Sequence, residues 1–238
     1  MKISAANTDF KELNELIKAA GDDVFVSDCC GQRYIGCGLK NKVITIEGTP
    51  GNALGAYLDG ATIKVKGNVQ DAVGDTMNEG SIIVYGNAGD ALGYAMRGGR
   101  IYVRGDAGYR TGIHMKQYKD KKPVIIVGGR VGSFLGEYLA GGLIIVLGIG
   151  SRKLPVGDFT GTGMHGGKMY IRTDMELNSL PAQVVAGTAT KEDMDEILPY
   201  LTEFCSIFDY NAEEITGSKF YILKPNAKNP YKQLYTAN

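Results

Sequence analysis

The sequence predicts an all-β chain folded as a parallel β-helix of about seven coils, capped by an N-terminal helix and followed by a helical C-terminal tail. Gly48, Gly67, Gly86 and Gly105 fall nineteen residues apart, and a second glycine follows seven positions after each as Gly55, Gly74, Gly93 and Gly112. A third recurs near the thirteenth position as Gly60, Gly80 and Gly99. A fixed period close to twenty residues marks a stacked architecture, and three glycine-marked corners per turn predict a triangular coil. Past the fourth copy, insertions of about five residues restore the spacing as Gly129, Gly136, Gly142 and Gly148, while a degenerate first copy runs from Cys29 with Gly36.

The columns between the glycines predict what the coils bury. Ile44, Ile63, Ile82, Ile101, Ile125, Ile144 and Met169 form one column, and Ile46, Val65, Val84, Val103, Val127, Val146 and Ile171 lie two residues further on, hence on the same strand face. Leu54, Val73, Leu92 and Leu135 form a third, interrupted by Thr111, and Leu58, Met77, Met96, Met115 and Leu139 a fourth. At roughly 1.5–3 kcal/mol for each buried aliphatic side chain, such ladders outweigh the ordering cost without metal or disulfide.

The organisation expected is a cap over 1–22, a β-helix over 23–174 and a tail over 175–238. Phe10, Leu13, Leu16, Ile17 and Ala20 recur at helical spacing behind Thr8 or Asp9 as N-cap. In the tail, Thr190 to Asp193 resembles a capping box ahead of Met194, Ile197, Leu198, Leu201 and Phe204, with Pro199 expected to kink or break the helix. Such caps protect open strand edges from pairing with other chains.

Composition excludes some functions. The 238 residues carry 26 Lys plus Arg against 26 Asp plus Glu, with a pI near 6.7, so no charge imbalance favours nucleic acid or an anionic membrane. The start of the chain has no apolar segment of the signal-peptide kind and no run long enough to span a bilayer. A cytoplasmic protein with reduced thiols at Cys29, Cys30, Cys37 and Cys205 is expected.

Candidate sites are few. Gly161 to Gly166 spells GxGxxG but leads into the strand-like Lys168 to Arg172 instead of a helix, so it is set aside as a dinucleotide site. Cys29, Cys30 and Cys37 lack the paired spacing of a metal site. His114 and His165 have no nearby partner in sequence for acid–base work, so no catalytic residue is assigned. Arg97 and Lys116 hold the same position on successive coils, with His114 and Arg110 close by. They form an electropositive ridge that reads either as an anion or partner site or, with Glu137 on the next coil, as an internal ion-pair network. The insertion Lys116 to Pro123 is basic and reads as a solvated loop or a docking element. Finally, the outward strand positions change from Thr45, Lys64 and Lys66 to Ile83, Tyr85, Tyr102, Ile126, Ile145, Leu147 and Tyr170. An apolar outer face must be covered, by the tail or by a partner, so Tyr102, Ile126, Ile145 and Tyr170 join the candidate interface.

The motifs Gly67-Asn68-Val69-Gln70-Asp71-Ala72-Val73-Gly74, Gly86-Asn87-Ala88-Gly89-Asp90-Ala91-Leu92-Gly93, Arg97-Gly98-Gly99 and Gly136-Glu137-Tyr138-Leu139-Ala140-Gly141-Gly142 resemble the GXGXG domain. That domain forms the C-terminal part of the glutamate synthase large subunit and is similar to the C-type subunit of formylmethanofuran dehydrogenase. The resemblance runs from about residue 24 to 173. It implies a right-handed, single-stranded parallel β-helix that supports neighbouring catalytic domains. Two departures stand out: Gly132 to Gly136 lacks the histidine found ahead of the Glu-Tyr pair, and Gly108 to Lys116 matches only in outline. By resemblance the chain is a non-catalytic scaffold or regulatory subunit of a glutamate synthase-like complex. Glutaminase-like and FMN-binding chains would be its partners, and FMN and an iron–sulfur cluster would be held by them and not by this chain. The alternative is a C-type component of a formylmethanofuran dehydrogenase-type complex. A homo-oligomer stays open. A stand-alone carbohydrate-active β-helix would want clustered carboxylates on an exposed strand face, which the sequence does not offer.

Overall fold

The structure, a computed structural model, describes residues 1–177 and 180–226, so the last twelve residues of the expected tail lie outside the described residues. In chain order the elements are β1 (Lys2–Ser4), α1 (Phe10–Ala19), β2 (Asp23–Cys30), β3 (Val43–Thr49), β4 (Asp59–Val65), β5 (Glu79–Val84), β6 (Arg100–Val103), β7 (Val124–Val127), β8 (Ala140–Val146) and β9 (Gly166–Arg172). β10 (Val184–Thr188), α2 (Lys191–Phe208), α3 (Ala212–Thr216) and β11 (Phe220–Pro225) follow. Strands β1 to β9 pair in sequence order, all parallel, as a solenoid of about eight turns. The extra turn relative to the sequence reading comes from β2, where Val24 pairs with Ile44 and Val26 with Ile46, extending both ladders one rung towards the N-terminus. Its longer repeat hid it.

The ladder register follows the nineteen-residue period. Ile44 pairs with Ile63, Ile63 with Ile82 and Ile82 with Ile101, and the next rungs join Ile101 to Ile125, Ile125 to Ile144 and Ile144 to Met169. All are fully buried in one continuous core. Thr111 interrupts the leucine column without leaving an unpaired hydroxyl, because its Oγ1 donates to Gly108 O at 3.3 Å. Each coil has one regular strand; a second segment pairs only through bridges such as Ala88–Ala107–Val131, and a third is a corner with left-handed residues.

Between ladders, asparagine and aspartate side chains tie coil to coil. Asn68 Oδ1 accepts from Asn87 N, Asn87 Oδ1 from Asp106 N, Asp71 Oδ1 from Asp90 N and Asp90 Oδ1 from Tyr109 N, all at 2.8 Å. This explains the Gly-Asn pairing in the motifs: a Cβ on Gly105 would overlap Asn87 Oδ1. Removing one rung leaves a backbone N–H without its acceptor. Asn87→Ala is therefore expected to cost about 1–2 kcal/mol, measured by urea unfolding.

The ends are closed differently. At the N-terminus, α1 starts at Asp9, whose Oδ1 accepts from Lys11 N at 2.9 Å, and buries Leu13 and Ile17 over the first coil. The expected cap over 1–22 also contributes β1, unforeseen from so short a segment. At the other end the tail is not only helical. β11 pairs antiparallel with β9, and β10 with β11, so the parallel stack stops on a reversed strand. In β11, Leu223 enters the solenoid core while Phe220 and Ile222 face outward beneath α2.

Helix α2 begins in the capping box of Thr190 and Asp193 and runs through Pro199 as one helix, so of the expected kink or break the break does not occur. The contacts of Ile197, Leu201, Phe204 and Phe208 on both sides of the proline outweigh the one backbone bond it removes. These side chains lie on Ile83, Tyr102, Val124, Ile126, Leu143, Ile145, Leu147 and Tyr170. Tyr102, Ile126, Ile145 and Tyr170 are thus wholly buried by the chain's own tail, which removes them from the candidate partner interface. Their hydroxyls explain why two are tyrosines: Tyr102 donates to Glu203 Oε2 at 2.7 Å and Tyr170 to Glu196 Oε2 at 2.8 Å, two helical turns apart on α2.

Glu196 gathers more partners. Burial disfavours its charge, but hydrogen bonds from Lys168 at 2.7 Å, Lys122 at 3.0 Å and Tyr170 outweigh it and hold the carboxyl down at about 2. The folded value lies below the unfolded one of 4.5, so the stabilisation is complete above pH 4.5 and is lost as pH falls towards 2. At full strength such a shift is worth roughly 3 kcal/mol, and solvent access reduces it to about 1–2 kcal/mol. Glu196→Gln is expected to lower stability by that amount at neutral pH and to flatten the acid limb of a stability–pH curve.

Candidate interaction surface

The left-handed corners of the coils place the functional candidates. In each coil the repeat glycine has positive φ, and so do the residues two before and two after it: Ala53 and Tyr57, Ala72 and Thr76, Ala91 and Ala95, Arg110 and His114, Phe134 and Tyr138. Phe159 precedes Gly161 and Gly163 in the same way. From Ala53 to Tyr138 each such residue donates its N–H to the next coil, as Arg110 does to Ser133 O at 3.0 Å and His114 to Glu137 O at 2.9 Å. Small side chains hold these positions in the middle coils. In the last three Arg110, His114, Phe134, Tyr138 and Phe159 hold them, as Tyr34 and Tyr57 do in the first coils, although a non-glycine residue there costs about 1–2 kcal/mol. Backbone strain retained at such a cost marks a surface for scrutiny.

The bulky side chains form two stacks on the outside. His114 lies flat on Tyr138, with centroids 5.1 Å apart and planes 6° apart, and meets Tyr94 edge-on at 5.9 Å. Phe134 stacks on Phe159 at 5.0 Å, and the Arg110 guanidinium sits 5.0 Å above Phe134 while its Nε reaches Glu137 at 3.1 Å. Tyr109, Tyr138 and Phe159 remain 53, 44 and 57 % exposed. Large aromatics beside an arginine are the residue types that dominate protein interfaces.

The sequence-predicted residues divide around this surface. Arg110, His114 and Glu137 belong to it. Arg97 and Lys116 are exposed at its edge on adjacent rungs, and Glu137 pairs with Arg110 instead of bridging them. The basic insertion is largely pinned back: Lys121 pairs with Glu79 and Asp59, and Lys122 with Glu196. Sequence reasoning missed Tyr94, Tyr109, Phe134, Tyr138 and Phe159. For Phe134, Tyr138 and Phe159 the signal was present as bulky residues two positions from a repeat glycine, where the middle coils carry Ala72, Thr76, Ala91 and Ala95.

Residues 12–224 match the family described as the GXGXG motif. The chain belongs to that family. Left-handed backbone at alternate corner positions gives a physical reason for a signature of alternating glycines, retained here as Gly36 and Gly38 and as Gly161 and Gly163. The uncharacterized protein MJ1350 of Methanocaldococcus jannaschii is 43% identical over 249 aligned positions, spanning 98% of this chain and 95% of that protein. The fold is also similar to a chain of the crystal structure of the formyltransferase/hydrolase complex FhcABCD from Methylorubrum extorquens with methylofuran. That match has a TM-score of 0.62 at 21% identity, over 84% of this chain and 71% of that one.

The remaining candidates are spread out. Cys29 and Cys205 are buried, Cys30 is exposed and Cys37 is half-buried. Among the described residues no group of three or more His, Cys, Asp or Glu side chains is placed to hold a metal ion, and no helix is long and apolar enough to cross a membrane.

Proposed function

We propose that this GXGXG-family chain is a non-catalytic structural component of a multiprotein assembly and docks a protein partner on the left-handed corner of its last coils. The single observation that carries this reading is the surface of Arg110, His114, Phe134, Tyr138 and Phe159, side chains in contact with one another on left-handed backbone, with Tyr109 exposed beside them. No core packing accounts for them. The partner class favoured is a formylmethanofuran dehydrogenase-type or related formyltransferase/hydrolase assembly, because the structural neighbour is a chain of such a complex. A glutamate synthase-like assembly, with glutaminase-like and FMN-binding partners, is the second reading, supported by the Gly-Asn and Gly136 to Gly142 motifs.

The test is purification of the tagged chain from its native cells, with the partners identified and bound metal and flavin measured. Stoichiometric recovery of molybdenum- or tungsten-binding or formyltransferase-type chains is the expected result. A colourless chain without partners contradicts the reading, and recovery of an FMN protein with a glutaminase selects the second. The double variant Tyr138→Ala and Phe159→Ala keeps the same backbone strain but is expected to lose the partner, with about thirtyfold weaker binding.

A further inference from the structure

The second insertion in the solenoid builds a cleft of its own. Between β8 and β9 the repeat lengthens, so that Ile144 pairs with Met169 twenty-five positions later instead of nineteen. The extra residues project as a loop from Gly148 to Pro155, tied by Ser151 Oγ donating to Lys153 O at 2.9 Å and accepting from Lys153 N at 3.1 Å. The loop faces the end of β9 and the turn before β11, enclosing a cleft of about 360 Å³ lined by polar groups. Four cationic side chains from these three segments line it: Arg152, Lys153, Arg172 and Lys219.

The cleft is short of negative charge. Asp174 is its one lining carboxylate, with Glu176 near Lys219, and Lys219 also hydrogen-bonds Tyr221 at 2.8 Å. Among the described residues Arg152, Lys153 and Arg172 have no carboxylate within ion-pair distance. The Arg172 guanidinium is held in place because Nη1 donates to Leu147 O at 3.0 Å, while its buried Nε has no acceptor among the described residues. A buried donor left unpaired costs about 1–3 kcal/mol, which an oxyanion that draws the Nε edge into the cleft would recover. A fixed guanidinium with flexible cations around it suits a doubly charged tetrahedral group, since the planar fork grips two oxygens and the lysines neutralise the rest.

We infer that this cleft binds a phosphate-bearing small molecule, with Arg172 as the fixed anchor and Arg152, Lys153 and Lys219 closing over the phosphoryl oxygens. The site is separate from the aromatic corner and does not depend on the docking reading.

The test is isothermal titration of the full chain with inorganic phosphate, pyrophosphate and glycerol phosphate in about 150 mM sodium chloride, where nonspecific attraction is screened. Succinate is titrated alongside. Saturable binding at one site per chain, with the phosphates tighter than succinate, is expected. Arg172→Gln should weaken it by roughly tenfold or more, and the exposed pair Arg152→Gln with Lys153→Gln by a similar factor without touching the fold. Absence of binding at millimolar phosphate or pyrophosphate overturns the inference, as does equal binding by the Arg152→Gln, Lys153→Gln variant. Tighter binding of succinate overturns the phosphoryl assignment.

Discussion

Gly112→Val is expected to unfold the solenoid or lower its stability by more than about 4 kcal/mol in urea titration. Two independent costs combine. The backbone at Gly112 has φ +72°, a region a β-branched residue enters only under strain. A Cβ there would also overlap Ile144 Cδ1, a fully buried rung of the central ladder, and moving that rung disturbs its neighbours above and below. Gly38→Ala is the control: φ is +67°, but no atom lies within 4 Å of the added Cβ, so only the backbone cost of about 1 kcal/mol is expected. Equal losses at the two positions would show that left-handed backbone alone, and not the close approach of the isoleucine ladder, requires glycine.

The second large effect is at the outer face. Phe204 is fully buried, with its ring 6.4 Å from Tyr102, 4.8 Å from Phe208 and 5.9 Å from Tyr210, and it packs α2 on the last coils. Phe204→Ala leaves a cavity between helix and sheet and is expected to cost about 3–5 kcal/mol. Loosening α2 also uncovers the apolar side of β6 to β9, so exposure of Tyr102 and Tyr170, read by increased binding of a hydrophobic dye, should accompany the loss. A stable variant with no added dye binding would mean that the helix is dispensable for covering the sheet.

The ladders were legible because a solenoid repeats one local environment. Ile63, Ile82 and Ile101 each occupy the same place, and a period read from glycines fixes their register. What escaped the sequence lacks that repetition. β1 and β11 are short segments whose pairing depends on where the stack ends, and Pro199 is tolerated only because tertiary contacts hold α2 on both sides of it. The candidate interface was half legible. Arg110, His114 and Glu137 stood out by charge, but Phe134, Tyr138 and Phe159 read as ordinary aromatics until the left-handed backbone placed them together on one corner. Tyr102, Ile126, Ile145 and Tyr170 joined the candidate interface because alternation along a strand shows that a face is apolar, not whether the tail or a partner covers it.

Docking on the left-handed corner is tested most directly by hydrogen–deuterium exchange of the chain alone and within the complex purified from its native cells. Slower exchange confined to 109–115, 133–138 and 158–163 on partner binding is the predicted result. Protection at β1, β10 or the outer surface of α2, with these corners unchanged, would contradict it.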